Sequence, residues 1–209
     1  DNMVLQRDRP VMIWGWSNPG ENITVRLDRQ TKKIRAGKDG KWKLSLDPMP
    51  AGGPFQMTVQ GKNTITINNI LFGEVWICSG QSNMGMSVKN SNNAESEIAG
   101  ANFPEIRLMT VPRNMPTAPV DDIKSSSWQI CSPETIPGFS AVAYFFGRNI
   151  YHEIDVPIGL INTSWGGTNV EAWTSMDYLT KVDKYKGYPK ELEQTLKEQK
   201  EGTQLHPNK

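Results

Sequence analysis

Up to about residue 70 the chain alternates apolar and polar residues with a period of two. Trp42, Leu44 and Leu46 interleave with Lys41, Lys43 and Ser45; Phe55, Met57 and Val59 interleave with Gln56, Thr58 and Gln60. Ile65 and Ile67 alternate with threonines in the same way. Such a period sends every second side chain to one face of a strand. Asn18-Pro19-Gly20 marks a turn between strands at 11–16 and 23–27, and Asp39-Gly40 predicts a hairpin turn leading into Trp42. Short strands with this punctuation predict a small β-sandwich over residues 1–70. Trp14, Trp16 and Trp42 are expected to fill its core; rings exposed in a row would instead make a sugar-stacking surface.

From residue 70 the pattern changes to strand and helix in alternation. Val75, Trp76, Ile77 and Cys78 are an apolar run without helical spacing, as in a strand buried on both faces. A helix is expected over 90–101, a strand over 106–111 and a proline-punctuated connection over 112–137. Ser140 then caps a helix whose Val142, Phe145, Phe146, Asn149 and Ile150 share one face. A third apolar strand covers 156–161. This order predicts a parallel α/β sheet within residues 71–209. The tail from Lys181 is rich in Lys and Glu, and 189–200 reads as a solvated helix.

Composition narrows the function classes. With 37% hydrophobic residues, 22% charged residues and a net charge of +1 over 209 residues, the chain has material for a core and no basic excess for nucleic acid or an anionic membrane. No apolar run approaches the ~18 residues a membrane helix needs. Cys78 and Cys131 are the only cysteines, and they form neither a disulfide framework nor a metal-ligand spacing. Asp1-Asn2-Met3-Val4-Leu5-Gln6 already has the texture of folded sequence, so a trimmed N-terminus is expected.

The candidate chemistry lies where apolar strands end in small residues. After Cys78 comes Ser79-Gly80-Gln81-Ser82-Asn83-Met84. A serine just past a parallel strand, at a helix N-terminus, is placed as a nucleophile, or else as a helix cap. Met84 stands where a Gly-x-Ser-x-Gly elbow has its last glycine. After the third strand comes Asn162-Thr163-Ser164-Trp165-Gly166-Gly167-Thr168. Both strand ends open on the same carboxyl edge of a parallel sheet, where ligands bind. Adjacent glycines let backbone N–H groups approach a reacting oxyanion, and one such donor is worth ~3 kcal/mol of barrier.

The first of these blocks resembles the opening signature of the SGNH-type esterases. Within them it is similar to the Gly-Gln-Ser-Asn-Met group of sialate O-acetylesterases and some acetylxylan esterases. The Gly-Gly-Thr segment resembles that group's second block, so the likeness extends over nearly the whole chain. It implies a flavodoxin-like three-layer α/β/α domain, incomplete within 71–209 and preceded by the sandwich. It implies Ser82 as nucleophile, Gly167 or alternatively Gly166 as an oxyanion donor beside the Ser82 amide, and Gln81, Asn83 and Thr168 against the substrate. The implied reaction removes an O-acetyl group from a sugar, foremost a sialic acid, through an acetyl-enzyme, with no metal or cofactor. The implied location is secreted or periplasmic.

Such a serine needs a general base, which the group takes from an Asp-x-x-His block. Residues 1–209 hold only His152 and His206, and Thr203 stands three before His206 where the aspartate belongs. Three strands of about five are present. The expectation is therefore a truncated catalytic domain, inactive alone, whose base lies beyond Lys209. A sialate site also needs a cation for the sugar carboxylate, and Arg107, Arg113 and Arg148 are alike at this level. A non-catalytic sugar-binding protein and a degenerate hydrolase scaffold are the alternatives.

Overall fold

In the computed structural model of the protein, residues 1–114, 120–123 and 126–200 are described. They form β1 (Val4–Gln6), β2 (Val11–Trp16), β3 (Asn22–Leu27), β4 (Gln30–Arg35), β5 (Lys41–Leu46), β6 (Gly52–Gln60) and β7 (Thr64–Cys78). There follow α1 (Ser82–Gly85), α2 (Ala94–Ala99), β8 (Phe103–Thr110), β9 (Gln129–Cys131), α3 (Ala141–Ile154), β10 (Ile158–Asn162), α4 (Met176–Leu179) and α5 (Tyr188–Lys200). The chain divides into two compact units. The first is Asp1–Arg113 with Ile123–Gly166; the second is Asn114–Asp122 with the chain from Gly167 onward.

In the first unit, β2 and β5 pair antiparallel and share a core with the larger sheet. Their inward residues Val11, Trp42, Leu44 and Leu46 meet Val25, Leu27, Met57, Ile70 and Phe72. Gly15 stands opposite Trp42, and a Cβ there would lie 2.8 Å from the indole, so the ring needs a glycine beneath it. Trp42 is thus a core residue, as expected. Trp14 and Trp16 are not: they point outward, 48% and 50% exposed, and meet edge to face with centroids 5.2 Å apart. Alternation along β2 decides this, because Val11 and Ile13 take the inward positions. The three rings therefore form no stacking row.

The Asp39-Gly40 turn exists, with Gly40 at φ +77°, but it is not a hairpin. It carries the chain from β4, paired with β3 in the large sheet, to β5 in the small one. Strand β4 has a single apolar side chain, Ile34, among lysines and arginine. It is the outer strand of its sheet, where charge discourages pairing with other chains.

Strand β7 joins the two halves. It pairs antiparallel with β6 as far as Phe72, parallel with β1 at Leu71–Gly73, and parallel with β10 at Glu74–Cys78. The change of texture at residue 70 is therefore a change of core within one strand: Ile70 and Phe72 lie in the sandwich core, Cys78 in the α/β core. At the joint, a Cβ added to Gly73 would lie 1.9 Å from the Pro157 carbonyl oxygen. That same carbonyl accepts the Glu74 N–H at 2.9 Å. Glu74 in turn receives Arg7 Nε at 2.7 Å and Gln6 Nε2 at 3.0 Å. The Gln6 and Arg7 bonds hold its carboxyl below the ordinary carboxylate range.

In the α/β sheet the parallel strands run β7, β10, β8, with β10 between the other two, and β9 joins antiparallel at the edge. Strand β9 lies within the stretch expected to be only a connection. Helix α3 begins where expected, the Ser140 hydroxyl accepting the Ala143 N–H at 3.2 Å. Its buried face is Ala143, Tyr144 and Gly147, however, while Val142 and Phe146 are exposed. Gly147 stands where the helix approaches most closely: a Cβ there would lie 2.6 Å from Leu160 Cδ1. The helix expected over 90–101 is reduced to a 3-10 turn at Val88–Asn90 and the short α2. In the second unit, 3-10 turns and α4 lead to α5, which spans the helix expected over 189–200. No helix among the described residues is long and apolar enough to cross a membrane.

Two outcomes follow at the joint. Gly73→Ala forces β7 off the Pro157 carbonyl and lowers stability by about 3 kcal/mol or more, read as a drop in the urea midpoint; an unchanged midpoint would refute the contact. The lowered Glu74 pKa contributes stability that is full above the usual carboxylate value of 4.5 and fades as pH falls through the folded-state pKa. The stability gap between the native protein and Glu74→Gln should thus close on acidification, and parallel curves would refute it.

Candidate active site

Strand β7 ends at Cys78, and Gly80 at φ +150° turns the chain into α1. Ser82 is the first residue of this single helical turn; Gln81 is the N-cap, and no side chain caps it. Ser82 is exposed. The cap alternative therefore does not hold for its hydroxyl.

The turn is held from beneath by a residue sequence reasoning treated only as a helix cap. Ser140 Oγ donates to the Met84 carbonyl at 2.6 Å, and the next N–H, of Ala141, donates to Met86 O at 2.8 Å. One serine thus caps α3 and fastens α1 to it.

The second block comes off the neighbouring strand. Asn162 ends β10, and its side-chain oxygen accepts the Ser164 N–H at 3.1 Å, bending the chain at the sheet edge. Two backbone bonds lace the loops together: Thr163 N–H to Cys78 O at 3.0 Å and Trp165 N–H to Gly80 O at 2.9 Å. Gly166 then lies against Ser82. A Cβ built on it would be 3.0 Å from Ser82 Oγ and 3.6 Å from Ser82 N. Any side chain there would crowd the hydroxyl.

The structure thus brings together Ser82 and Gly166, with Gln81 and Asn83 exposed beside Ser82 along the turn. Gly167 and Thr168 belong to the second unit. Gly167 has φ +76°, a conformation that favours glycine. Thr168 Oγ1 accepts Trp173 Nε1–H at 2.7 Å.

The cysteines and His152 offer neither a second nucleophile nor a base here. Cys78 and Cys131 are free and buried; burial raises both thiol pKa values, that of Cys131 to about 12, so neither is a thiolate near neutrality. His152 packs beside Phe103 in the last turn of α3. Ser140, against α1, is at the other end of that helix, about 18 Å away at 1.5 Å per residue. His206 lies outside the described residues. No cluster of three metal-binding side chains occurs among the described residues.

Of the three arginines, Arg107 is 3% exposed and donates to the carbonyls of Pro104, Asn2 and Asn69 and to Asn69 Oδ1. Desolvation lowers its pKa. Arg148 is paired with Glu97 and lies over the rings of Tyr144 and Phe145. Arg113 is exposed, over the Trp165 ring.

An exposed hydroxyl beside bare backbone at a strand end suits acyl transfer: the carbonyl carbon reaches Oγ while its oxygen faces N–H groups.

The chain is similar to known carbohydrate esterases. A family model described as carbohydrate esterase, sialic acid-specific acetylesterase, matches residues 72–205. The sialate O-acetylesterase of Pongo abelii is 38% identical over 195 residues, covering 84% of this chain, and that of Homo sapiens is 36% identical over 196 residues, also covering 84%. The chain spans 37% of the length of either relative. The crystal structure of a carbohydrate acetylesterase from Xanthomonas citri superposes with a TM-score of 0.82 at 34% identity, covering 83% of this chain and 40% of that one.

Gly166→Ala tests the site directly. Its φ is outside the left-handed region, so the cost falls on the hydroxyl and not on the backbone. The rate at which a fluorophosphonate labels Ser82 should fall tenfold or more with little change in the unfolding midpoint. Labelling at the native rate would show that Gly166 does not border the reacting group.

Proposed function

The chain belongs to the sialic acid-specific acetylesterase family of carbohydrate esterases, and from that membership we propose that the protein removes O-acetyl groups from carbohydrates, sialic acids foremost, with Ser82 as nucleophile. The observation that carries the reading is Gly166 packed on the Ser82 hydroxyl, with a Cβ position only 3.0 Å from Oγ. Residues 71–209 carry the chemistry in this reading, and residues 1–70 form the β-rich platform.

Ser82 Oγ attacks the acetyl carbonyl as its proton passes to a general base. The resulting oxyanion takes hydrogen bonds from the Ser82 amide and from the amide of Gly166, which lies against Ser82, each worth roughly 3 kcal/mol in the transition state. Collapse of the intermediate expels the sugar oxygen, which takes up the proton, and leaves an acetyl-serine. Water adds to that ester and releases acetate. Gln81 and Asn83, exposed beside Ser82, contact the sugar in this reading. The base role is assigned to no described residue, because His152 is at the far end of α3. Export from the cytoplasm belongs to the same reading and rests on the family resemblance.

In the intact gene product, Ser82→Ala should reduce acetate release from O-acetylated sialic acid by at least a thousandfold while the fold is retained by circular dichroism. Turnover that survives the substitution would overturn the assignment. Faster release from acetylated xylose than from the sialic acid would move the substrate class and leave the nucleophile in place.

A further inference from the structure

An esterase that selects a sugar acid needs a fixed positive charge within one sugar of its nucleophile. Arg107 is unavailable, buried among backbone carbonyls of Asn2, Asn69 and Pro104. Arg148 already pairs with Glu97. Arg113 differs in place and in support. Just past β8, the Val111 N–H donates to Asn162 O at 2.9 Å and ties the residues before Arg113 to the end of β10. Its guanidinium carbon lies 5.8 Å from the centre of the Trp165 ring. Trp165 is bonded through its N–H to Gly80 at 2.9 Å and is followed in the chain by Gly166, which lies on Ser82. The cation is therefore carried at the carboxyl edge by a ring that is itself anchored to the serine turn.

A guanidinium held over an indole face loses freedom while keeping its N–H donors available, and Arg113 is exposed. A carboxylate matches those donors with two parallel hydrogen bonds. We infer that Arg113, seated on Trp165, is the residue by which this site selects O-acetyl esters of carboxylate-bearing sugars over neutral ones. The inference rests on the reading of Ser82 as the esterase nucleophile. Arg113 binds the far end of the substrate and takes no part in the bond changes, so its effect falls on KM more than on kcat.

The test compares acetate release from an O-acetylated sialic acid with release from its C1 carboxamide, which keeps the shape and loses the charge. In the intact gene product the acid is the better substrate. Arg113→Gln lowers the acid-to-amide ratio of kcat/KM by about 10- to 100-fold, chiefly through KM. Arg113→Lys gives an intermediate ratio, and added salt narrows the native ratio because the pair is exposed. A ratio unchanged in Arg113→Gln, or native enzyme that does not prefer the acid, overturns the inference. Should the glutamine variant fail to fold, a ratio insensitive both to Arg113→Lys and to salt overturns it equally. Failure of the underlying reading looks different: Ser82→Ala would then release acetate from acid and amide alike.

Discussion

One strand holds two cores in register, and the serine turn depends on it. Strand β7 leaves the sandwich core at Phe72 and reaches the α/β core at Cys78, so any tilt at its middle displaces the turn that follows. The middle is fixed by a backbone contact that only glycine permits, Gly73 against the Pro157 carbonyl. Glu74 adds a second constraint by holding Gln6, which ends the first strand, and Arg7 just after it. The position of Ser82 is thus determined by main-chain packing several residues upstream, where no catalytic group lies.

From that strand the site is assembled by short-range bonds between loops. Gly80 O accepts from Trp165 N–H, and Cys78 O accepts from Thr163 N–H. Each such bond contributes only about 1 kcal/mol net, but together they join two strand ends that are more than eighty residues apart in sequence. Ser140 completes the arrangement from below by binding the Met84 carbonyl. A serine on one helical turn would otherwise be poorly fixed, because a single turn has almost no stability of its own.

The local chemistry was legible because it is written in adjacent residues. An apolar run that stops in small residues announced both the Ser82 and the Gly166 loops, and Ser140 before an apolar period announced α3. What escaped depends on distant partners. Strand β4 has one hydrophobe because it is an edge. The unity of β7 was hidden by the shift in pairing register with β6 between Phe55 and Met57, opposite a stretch of β7 where Asn69 takes φ +56°; such an irregularity breaks the alternation and reads as a boundary. The outward turn of Trp14 and Trp16 follows from which face of β2 met the core, and residue type alone pointed the other way. The buried face of α3 was misjudged in part for a related reason: close approach to Leu160 requires Gly147, whereas Phe145 and Ile150 do pack against the core.

The burial of Arg107 also orders events during synthesis. Besides nearby Pro104, its partners are residues 2 and 69, separated from it by 105 and 38 positions. Every strand of the sandwich leaves the ribosome before it, so the sandwich can close first. At roughly 5–20 residues per second the arginine follows Asn69 by a few seconds. Until it arrives, the carbonyls of Asn2 and Asn69 face water; afterwards they are sealed by a guanidinium that cannot shed its charge. A residue translated after the whole sandwich therefore closes over two of its backbone carbonyls.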